Sequence, residues 1–159
     1  MKKISAVIGC VVTMLVFAAA LWATTYTNFT GSASSLPNMG IGVSGVQATL
    51  AFPANTATGD VFQVIGVPSN STVLAVGYKV IGTNQVSGDV TRSFQIGDGG
   101  SAARFLAATS IAAPTAGVLA SGTAYMYGTA DDTIDVTALG PMTNASVMVW
   151  AIIAGPPHL

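Results

Sequence analysis

The chain has 159 residues, of which 7% are charged, and a formal net charge of −1. This length predicts one domain, and ordinary soluble domains carry about 25% charged residues. After Lys3 the only cations are Lys79, Arg92 and Arg104. The sequence therefore offers no basic patch for phosphate groups, which argues against direct nucleic-acid binding. A hydrophobic content of 51% without charge blocks also argues against a disordered chain.

Residues 1–23 begin with two lysines and continue as an apolar segment. The stretch Ile4–Ala23 contains no charged residue. This pattern is typical of a secretory signal peptide, with Ala18–Ala20 as the small-residue cleavage site. It is also long enough for a membrane anchor, which needs about 20 apolar residues. Both alternatives stay open, and both predict an apolar N-terminal helix outside the folded domain.

Residues 24–45 predict an extended arm or linker, because they contain many turn-forming residues and little hydrophobic period. Cys10 is the only cysteine of the chain. An intramolecular disulfide is therefore excluded, and the domain must be stabilised by packing.

Short alternating runs separated by turn residues fill residues 46–159. Alternation with this spacing predicts an all-β domain, a sandwich or a barrel, with seven or eight strands. Residues 147–153 are apolar on both faces, which predicts a strand buried in the domain or covered by another subunit. The inward-facing sets are Leu74, Val76, Tyr78 and Val80; Val90, Phe94 and Ile96; and Ile134 and Val136, with Asp135 and Thr137 pointing outward.

One stretch of the domain, residues 102–113 (AARFLAATSIAA), is compatible with a helix that Pro114 would end. Just before it, Gly97, Gly99 and Ala102 match the spacing of a dinucleotide-binding turn. Such a turn needs a surrounding βαβ unit, and a succession of short strands does not supply one. We therefore predict a tight turn at Asp98-Gly99 whose glycines take positive φ, and no nucleotide site.

Candidate catalytic and metal-binding groups are few. His158 is the sole histidine and lies beside the C-terminus, where it cannot readily join a catalytic triad. The sequence has no His/Cys cluster for zinc or iron. Calcium could bind Asp98, Asp131 and Asp132, but aspartates in such contexts are more often turn formers. We predict no catalytic residue, no cofactor, no metal and no enzymatic activity.

Three aromatic residues are candidates for a partner surface. Tyr125 and Tyr127 fall on one face of a predicted strand, and Trp150 lies in the last strand. Aromatic side chains at such positions belong to a core or an interface more often than to a ligand platform.

The order of features from Gly59 to Gly155 resembles that of small tailed-phage virion proteins of the jelly-roll or β-sandwich type. The segments that carry the resemblance are TGDVFQVIGVPSNSTVLAVGYKV, FQIGDGG, ARFLAAT, AYMYGTADDTIDVTA and ASVMVWAIIA. The resemblance implies an antiparallel β-sandwich of jelly-roll-like type. It also implies a head decoration, minor capsid or fibre-type protein of the virion, without catalysis. It also implies a homo-oligomer, with a trimer expected, whose partners are itself and capsid proteins.

A second function remains open at this point. The apolar segment Ile4–Ala23 favours an exported or membrane-anchored β-domain that binds carbohydrate or a cell-surface partner. The pattern from Gly59 to Gly155 favours the virion protein.

Overall fold

The structure, a computed structural model, describes residues 25–26, 42–82, 92–111, 118–121, 124–142 and 145–155. These residues form ten strands, and they contain no helix long and apolar enough to cross a membrane. The predicted apolar helix Ile4–Ala23 lies outside the described residues. The strands are β1 (Thr25–Tyr26), β2 (Val43–Ala51), β3 (Val61–Val67), β4 (Thr72–Gly82), β5 (Ser93–Asp98), β6 (Ser101–Ser110), β7 (Val118–Ser121), β8 (Tyr125–Met126), β9 (Asp132–Ala138) and β10 (Ser146–Ala154).

The strands form two sheets. Sheet A has the order β1-β3-β9-β5-β6, and sheet B has the order β2-β10-β4-β7 with β8 also paired to β4. All pairings are antiparallel except that of β1 with β3. β1 and the first residues of β2 lie within residues 24–45, the segment predicted as an arm.

Both sheets contribute their inner faces to one buried hydrophobic cluster. Edge-to-face aromatic pairs contribute to it: Tyr78 of β4 meets Phe94 of β5 at a centroid distance of 5.5 Å. Phe52, just after β2, meets Phe62 of β3 at 5.4 Å. The all-β prediction is therefore confirmed, and the shared core is what a two-layer sandwich requires.

The inward alternation is confirmed for most of the predicted positions that the structure describes, and Val90 lies outside the described residues. Ile96, Ile134 and Val136 are fully buried, as is Phe94. Leu74 is an exception, because it is 36% exposed while Val73 is fully buried. The register of β4 against β10 shifts at this point, so that Leu74 is an extra residue between Val73 and Ala75. A bulge of this kind moves the following side chains to the opposite face, and alternation alone does not reveal it.

The helix predicted for residues 102–113 is wrong. Strand β6 covers Ser101–Ser110 and pairs with β5 in antiparallel register. Phe105 is the one residue of this strand that is buried. Pairing with β5 outweighs the helix propensity of alanine because it satisfies the backbone groups of both strands.

The turn between β5 and β6 lies at Gly99-Gly100, one residue beyond the predicted Asp98-Gly99, and the predicted positive φ is wrong. Among the described residues, positive φ occurs at Gly42, Gly59 and Asn70 only. The Asp98 carboxylate accepts hydrogen bonds from the backbone N–H groups of Gly100 and Ser101, at 3.0 Å and 2.8 Å. This side chain closes the turn without left-handed backbone.

Candidate functional site

A row of hydrophobic side chains lies on the outer face of sheet B, beside the polar residues Gln47, Thr49 and Lys79 of the neighbouring strands. In β10 the residues that alternate with the buried set are Met148, Trp150 and Ile152. Leu119 of β7 joins them, since it pairs with Gly77, which in turn pairs with Trp150. We call these four residues the apolar face. Leu119 is 57% exposed and Ile152 is 37% exposed.

The Trp150 side chain occupies a space on this face that Gly77 leaves free. A Cβ atom at Gly77 would lie 2.0 Å from Trp150 Cζ2 and 2.1 Å from Cε2. The indole ring therefore lies directly over the backbone of β4, in a space that only glycine leaves free. The aromatic surface of the apolar face depends on this pairing of residues from two strands.

The outer face of sheet A is polar by contrast. Its cross-strand neighbours are Gln63 with Asp135, and Gln95 with Thr137. Among the described residues, every large hydrophobic side chain that is exposed belongs to sheet B. Monomeric soluble proteins rarely expose a contiguous apolar patch, so an asymmetry of this kind indicates an interaction surface on sheet B. The exposed set is Leu74, Ile81, Leu119, Met126 and Ile152.

A polar cluster lies at the β5–β6 hairpin and connects it to β8. The Asp98 carboxylate accepts a hydrogen bond from the Tyr127 hydroxyl at 2.8 Å and forms a salt bridge with Arg104. The Arg104 guanidinium stacks on the Tyr125 ring, 3.7 Å from its centroid. Because Tyr125 belongs to β8, which pairs with sheet B, this cluster joins the two sheets.

The electrostatics of this cluster favour a charged Asp98. Burial by itself raises the pKa of Asp98, but hydrogen bonds from Arg104, Tyr127 and the Ser101 N–H lower it below its usual value. Burial and the hydrogen bond to Asp98 raise the pKa of the Tyr127 hydroxyl. The hydrogen bond to Asp98 also raises the pKa of Arg104. All the polar atoms of Asp98 are thus engaged in structural contacts.

The structure brings together two of the three predicted partner-surface residues. Tyr125 and Tyr127 form an edge-to-face pair with centroids 5.0 Å apart. Tyr127 is 4% exposed, and Tyr125 packs against the core. Trp150 lies on the outer face of sheet B, away from this pair. A contribution of the three residues to one partner surface stays a prediction, and Trp150 is the member that the structure places on an apolar face.

The aspartates considered for calcium accept hydrogen bonds from backbone N–H groups. Asp131 Oδ1 accepts from the Ser69 N–H at 2.7 Å, and Asp132 Oδ1 accepts from the Thr133 N–H at 2.8 Å. Within the described ranges, no group of three or more His, Cys, Asp or Glu residues is placed to hold a metal ion. The turn-forming role that the sequence favoured fits these contacts.

Sequence reasoning missed Leu119 and Gly77. Leu119 follows a segment without clear hydrophobic alternation. Gly77 lies within a predicted strand, and it is one of the 18 glycines of the chain. Glycine inside a strand often marks a close approach of another group, and that signal could have pointed to Gly77. The pairing of Gly77 with Trp150 involves residues far apart in the chain, so only the sheet register reveals it.

Comparisons with known proteins show a shared fold. No protein-family model matches the sequence, and no curated protein matches it. Among solved structures, a chain of the cyanophage Pam1 capsid asymmetric unit is similar, with a TM-score of 0.60 and 20% identity over 87% of this chain and 96% of that chain. A chain from the capsid of Ralstonia phage GP4 has a TM-score of 0.54 and 12% identity over 76% of this chain and 89% of that chain. The protein thus has an all-β fold found in chains of bacteriophage capsids.

Proposed function

We propose that this protein is a structural component of a bacteriophage virion that acts by association of subunits and not by catalysis. The observation that carries this proposal is the likeness to the Pam1 capsid chain, which extends over 96% of that chain. Because the likeness also extends over 87% of this chain, it involves most of the fold and not one common hairpin.

The strand order supports a jelly-roll type of sandwich. Eight strands form the orders β2-β10-β4-β7 and β3-β9-β5-β6. The first and last of these eight, β2 and β10, are neighbours, and most connections cross from one sheet to the other. Two four-stranded sheets with crossing connections are typical of jelly rolls, an architecture common in viral capsid proteins.

Within the particle we propose a decoration or minor-capsid role, with the apolar face as the surface that contacts other subunits. Its members Trp150 and Met148 are of the residue types enriched in protein interfaces. Lys79 is the one charged residue paired in register with this face, opposite Met148. A low density of charge suits the core of an interface, where charged residues are depleted. We further propose a homotrimer, in which sheet B of each subunit packs against a neighbouring copy.

Mass spectrometry of purified phage particles tests the proposed function. Peptides from residues 42–155 should be recovered in a fixed ratio to the major capsid protein after density-gradient purification. A non-structural protein of the same phage is the control, and its peptides should disappear during purification. If peptides of this chain disappear in parallel with the control, the virion role is wrong.

The alternative of an exported or membrane-anchored domain that binds carbohydrate has no observation in its favour among the described residues. Tyr127, one of the two tyrosines considered for such a site, is buried against Asp98.

A further inference from the structure

A pocket with a volume of about 360 Å³ lies on the outer face of sheet A. One wall is formed by paired residues of β3 and β9, Gln63 with Asp135 and Val61 with Thr137. The other wall is the hairpin from Asp98 to Ala102. The pocket belongs to the sheet opposite the apolar face, and nothing in the proposed function uses it.

Asp135 is a buried carboxylate without a cationic partner in the described part of the chain. Asp135 is 4% exposed. Its Oδ1 atom accepts a hydrogen bond of 2.6 Å from the Thr133 hydroxyl. The charges that act on it are those of Asp132 and Asp98, both negative. Arg104, the cation on the neighbouring hairpin, is engaged by Asp98.

Thr137 provides a second and independent observation. It is 6% exposed, and its Oγ1 atom is buried without a hydrogen-bond partner among the described residues. Thr137 lies two residues after Asp135 on the same face of β9, and both line the pocket. Buried polar groups in folded proteins are nearly always hydrogen-bonded, and buried charges are nearly always paired. A hydroxyl without a hydrogen bond beside a carboxylate without a cation therefore indicates that a ligand supplies the missing donors.

We propose that this pocket binds an organic cation, an alkylammonium or guanidinium group, whose N–H donors bind the Asp135 carboxylate and the Thr137 hydroxyl. Such groups carry several N–H donors and no acceptor, which matches a site made of a carboxylate and a hydroxyl oxygen. Val61 and Ala102 offer apolar contact to the methylene groups of the ligand.

A metal ion fits the pocket less well. Calcium needs six to eight oxygen ligands, and the Asp98 carboxylate is already occupied by Arg104, Tyr127 and two backbone N–H groups. A volume of about 360 Å³ also exceeds the space of a single ion and suits a side-chain head group.

Two sources can supply the cation, a free small molecule or a lysine or arginine side chain of a second copy of this chain. The test uses the full chain labelled with ¹³C and ¹⁵N and follows the carboxyl carbon of Asp135 and the amide of Thr137 by NMR. In the first arm, methylguanidinium is titrated into dilute protein. In the second arm, no ligand is added and the protein concentration is raised.

In at least one arm, both signals should shift and saturate together, and the pKa of Asp135 should fall. Saturation with methylguanidinium at low protein concentration identifies a free cation, and saturation with protein concentration alone identifies a side chain of a second copy. Asp135→Asn should weaken binding about tenfold or more, because it removes the charge from a buried charge-assisted pair. Thr137→Val, which keeps the shape of the side chain, should weaken it by a smaller factor.

Asp131→Asn is the matched control, since it removes the same charge at an exposed carboxylate outside the pocket that bonds the Ser69 N–H. This variant should bind as the unmodified chain does. The proposal is overturned if neither arm gives a saturable shift at Asp135 and Thr137. It is also overturned if Asp135→Asn and Thr137→Val both match the Asp131→Asn control. In the first arm the quantity compared is the affinity for methylguanidinium, and in the second arm it is the strength of self-association.

Discussion

At the scale of single residues, Gly97 and Gly99 differ in what an added side chain would meet. A Cβ atom at Gly97 would lie 2.0 Å from the Ser101 carbonyl oxygen and 2.3 Å from the carbonyl carbon of Ala102. A Cβ atom at Gly99 would lie 3.1 Å from Asp132 Oδ1, an atom at the end of a side chain that can shift. The close approach of β6 to β5 therefore requires glycine at position 97 and not at position 99.

We expect Gly97→Ala to lower the free energy of unfolding by about 2 kcal/mol or more, because backbone atoms on both sides must move apart. Gly99→Ala should change it by less than about 1 kcal/mol, since its φ is not positive. Urea denaturation of the two variants measures the difference. Equal losses of stability in both variants would contradict the close approach at Gly97.

The buried carboxylate of Asp135 predicts a pH-dependent stability. Burial raises the pKa of Asp135 to about 6, and the negative charges of Asp132 and Asp98 add to this effect. The pKa of an aspartate in an unfolded chain is ~3.9, so the folded state binds this proton more tightly. The resulting stabilisation is present at low pH and is lost as the pH rises from about 4 through about 6. The pKa of Asp98 is lowered, so its contribution to stability has the opposite pH dependence: it is lost as the pH falls, and only below this range.

Asp135→Asn should remove this dependence and leave the hydrogen bond from Thr133 in place. We expect the variant to be more stable than the unmodified chain by about 1–3 kcal/mol near pH 7, and the difference to shrink towards about pH 4. Denaturation curves across this range test it. Parallel pH profiles of the two proteins would show that Asp135 is not the group responsible.

At the scale of elements, the pairing of β4 with β10 decides both the core and the outer surface. The register places Val76, Tyr78 and Val80 opposite the buried residues of β10. The same register places Gly77 opposite Trp150, so that the indole ring covers the glycine. The bulge at Leu74 lets β4 keep this register and still bury Val73.

We expect Gly77→Ala to destabilise the protein by about 1–3 kcal/mol, because the added methyl group would overlap the Trp150 ring. Trp150→Leu should relieve the overlap, so the double variant should lose less stability than the sum of the single losses. A double-mutant cycle measured by chemical denaturation gives this coupling energy. Additive losses would mean that the ring does not lie over Gly77.

At the scale of the whole molecule, the exposed large hydrophobic residues of the described chain are confined to sheet B. Sheet A carries glutamine, aspartate and threonine side chains, whereas sheet B carries the exposed hydrophobic residues. The inner faces form one core. The hydrophobic residues of sheet B can be buried against another protein while sheet A stays in contact with water.

Leu119→Lys should weaken self-association by about tenfold or more, because it places a charge in an apolar interface. Ala107→Lys on β6 is the matched control, since it adds the same charge at an exposed position of sheet A. Light scattering over a range of protein concentrations should show the trimer lost in the first variant and kept in the second. A monomer without any substitution would contradict the proposed trimer, and equal effects of both substitutions would contradict the role of the apolar face.

The sequence by itself determined the all-β class, the position of the β5–β6 turn and most of the buried positions in β4, β5 and β9. These features follow from local alternation and turn chemistry, which act over a few residues. Tertiary structure alone decided that residues 102–110 form a strand, since their pairing partner β5 supplies hydrogen bonds that local propensity does not include.

Tertiary structure also decided where the candidate sites lie. Asp135 and Thr137 were predicted to point outward, and they do lie on the outer face of sheet A. They are nevertheless buried, in a pocket whose second wall is the β5–β6 hairpin. Leu119 and Trp150 become members of one surface only because β7 and β10 both pair with β4. Contacts between residues this distant in sequence depend on the register of the sheets, and the local pattern of a single chain does not fix that register.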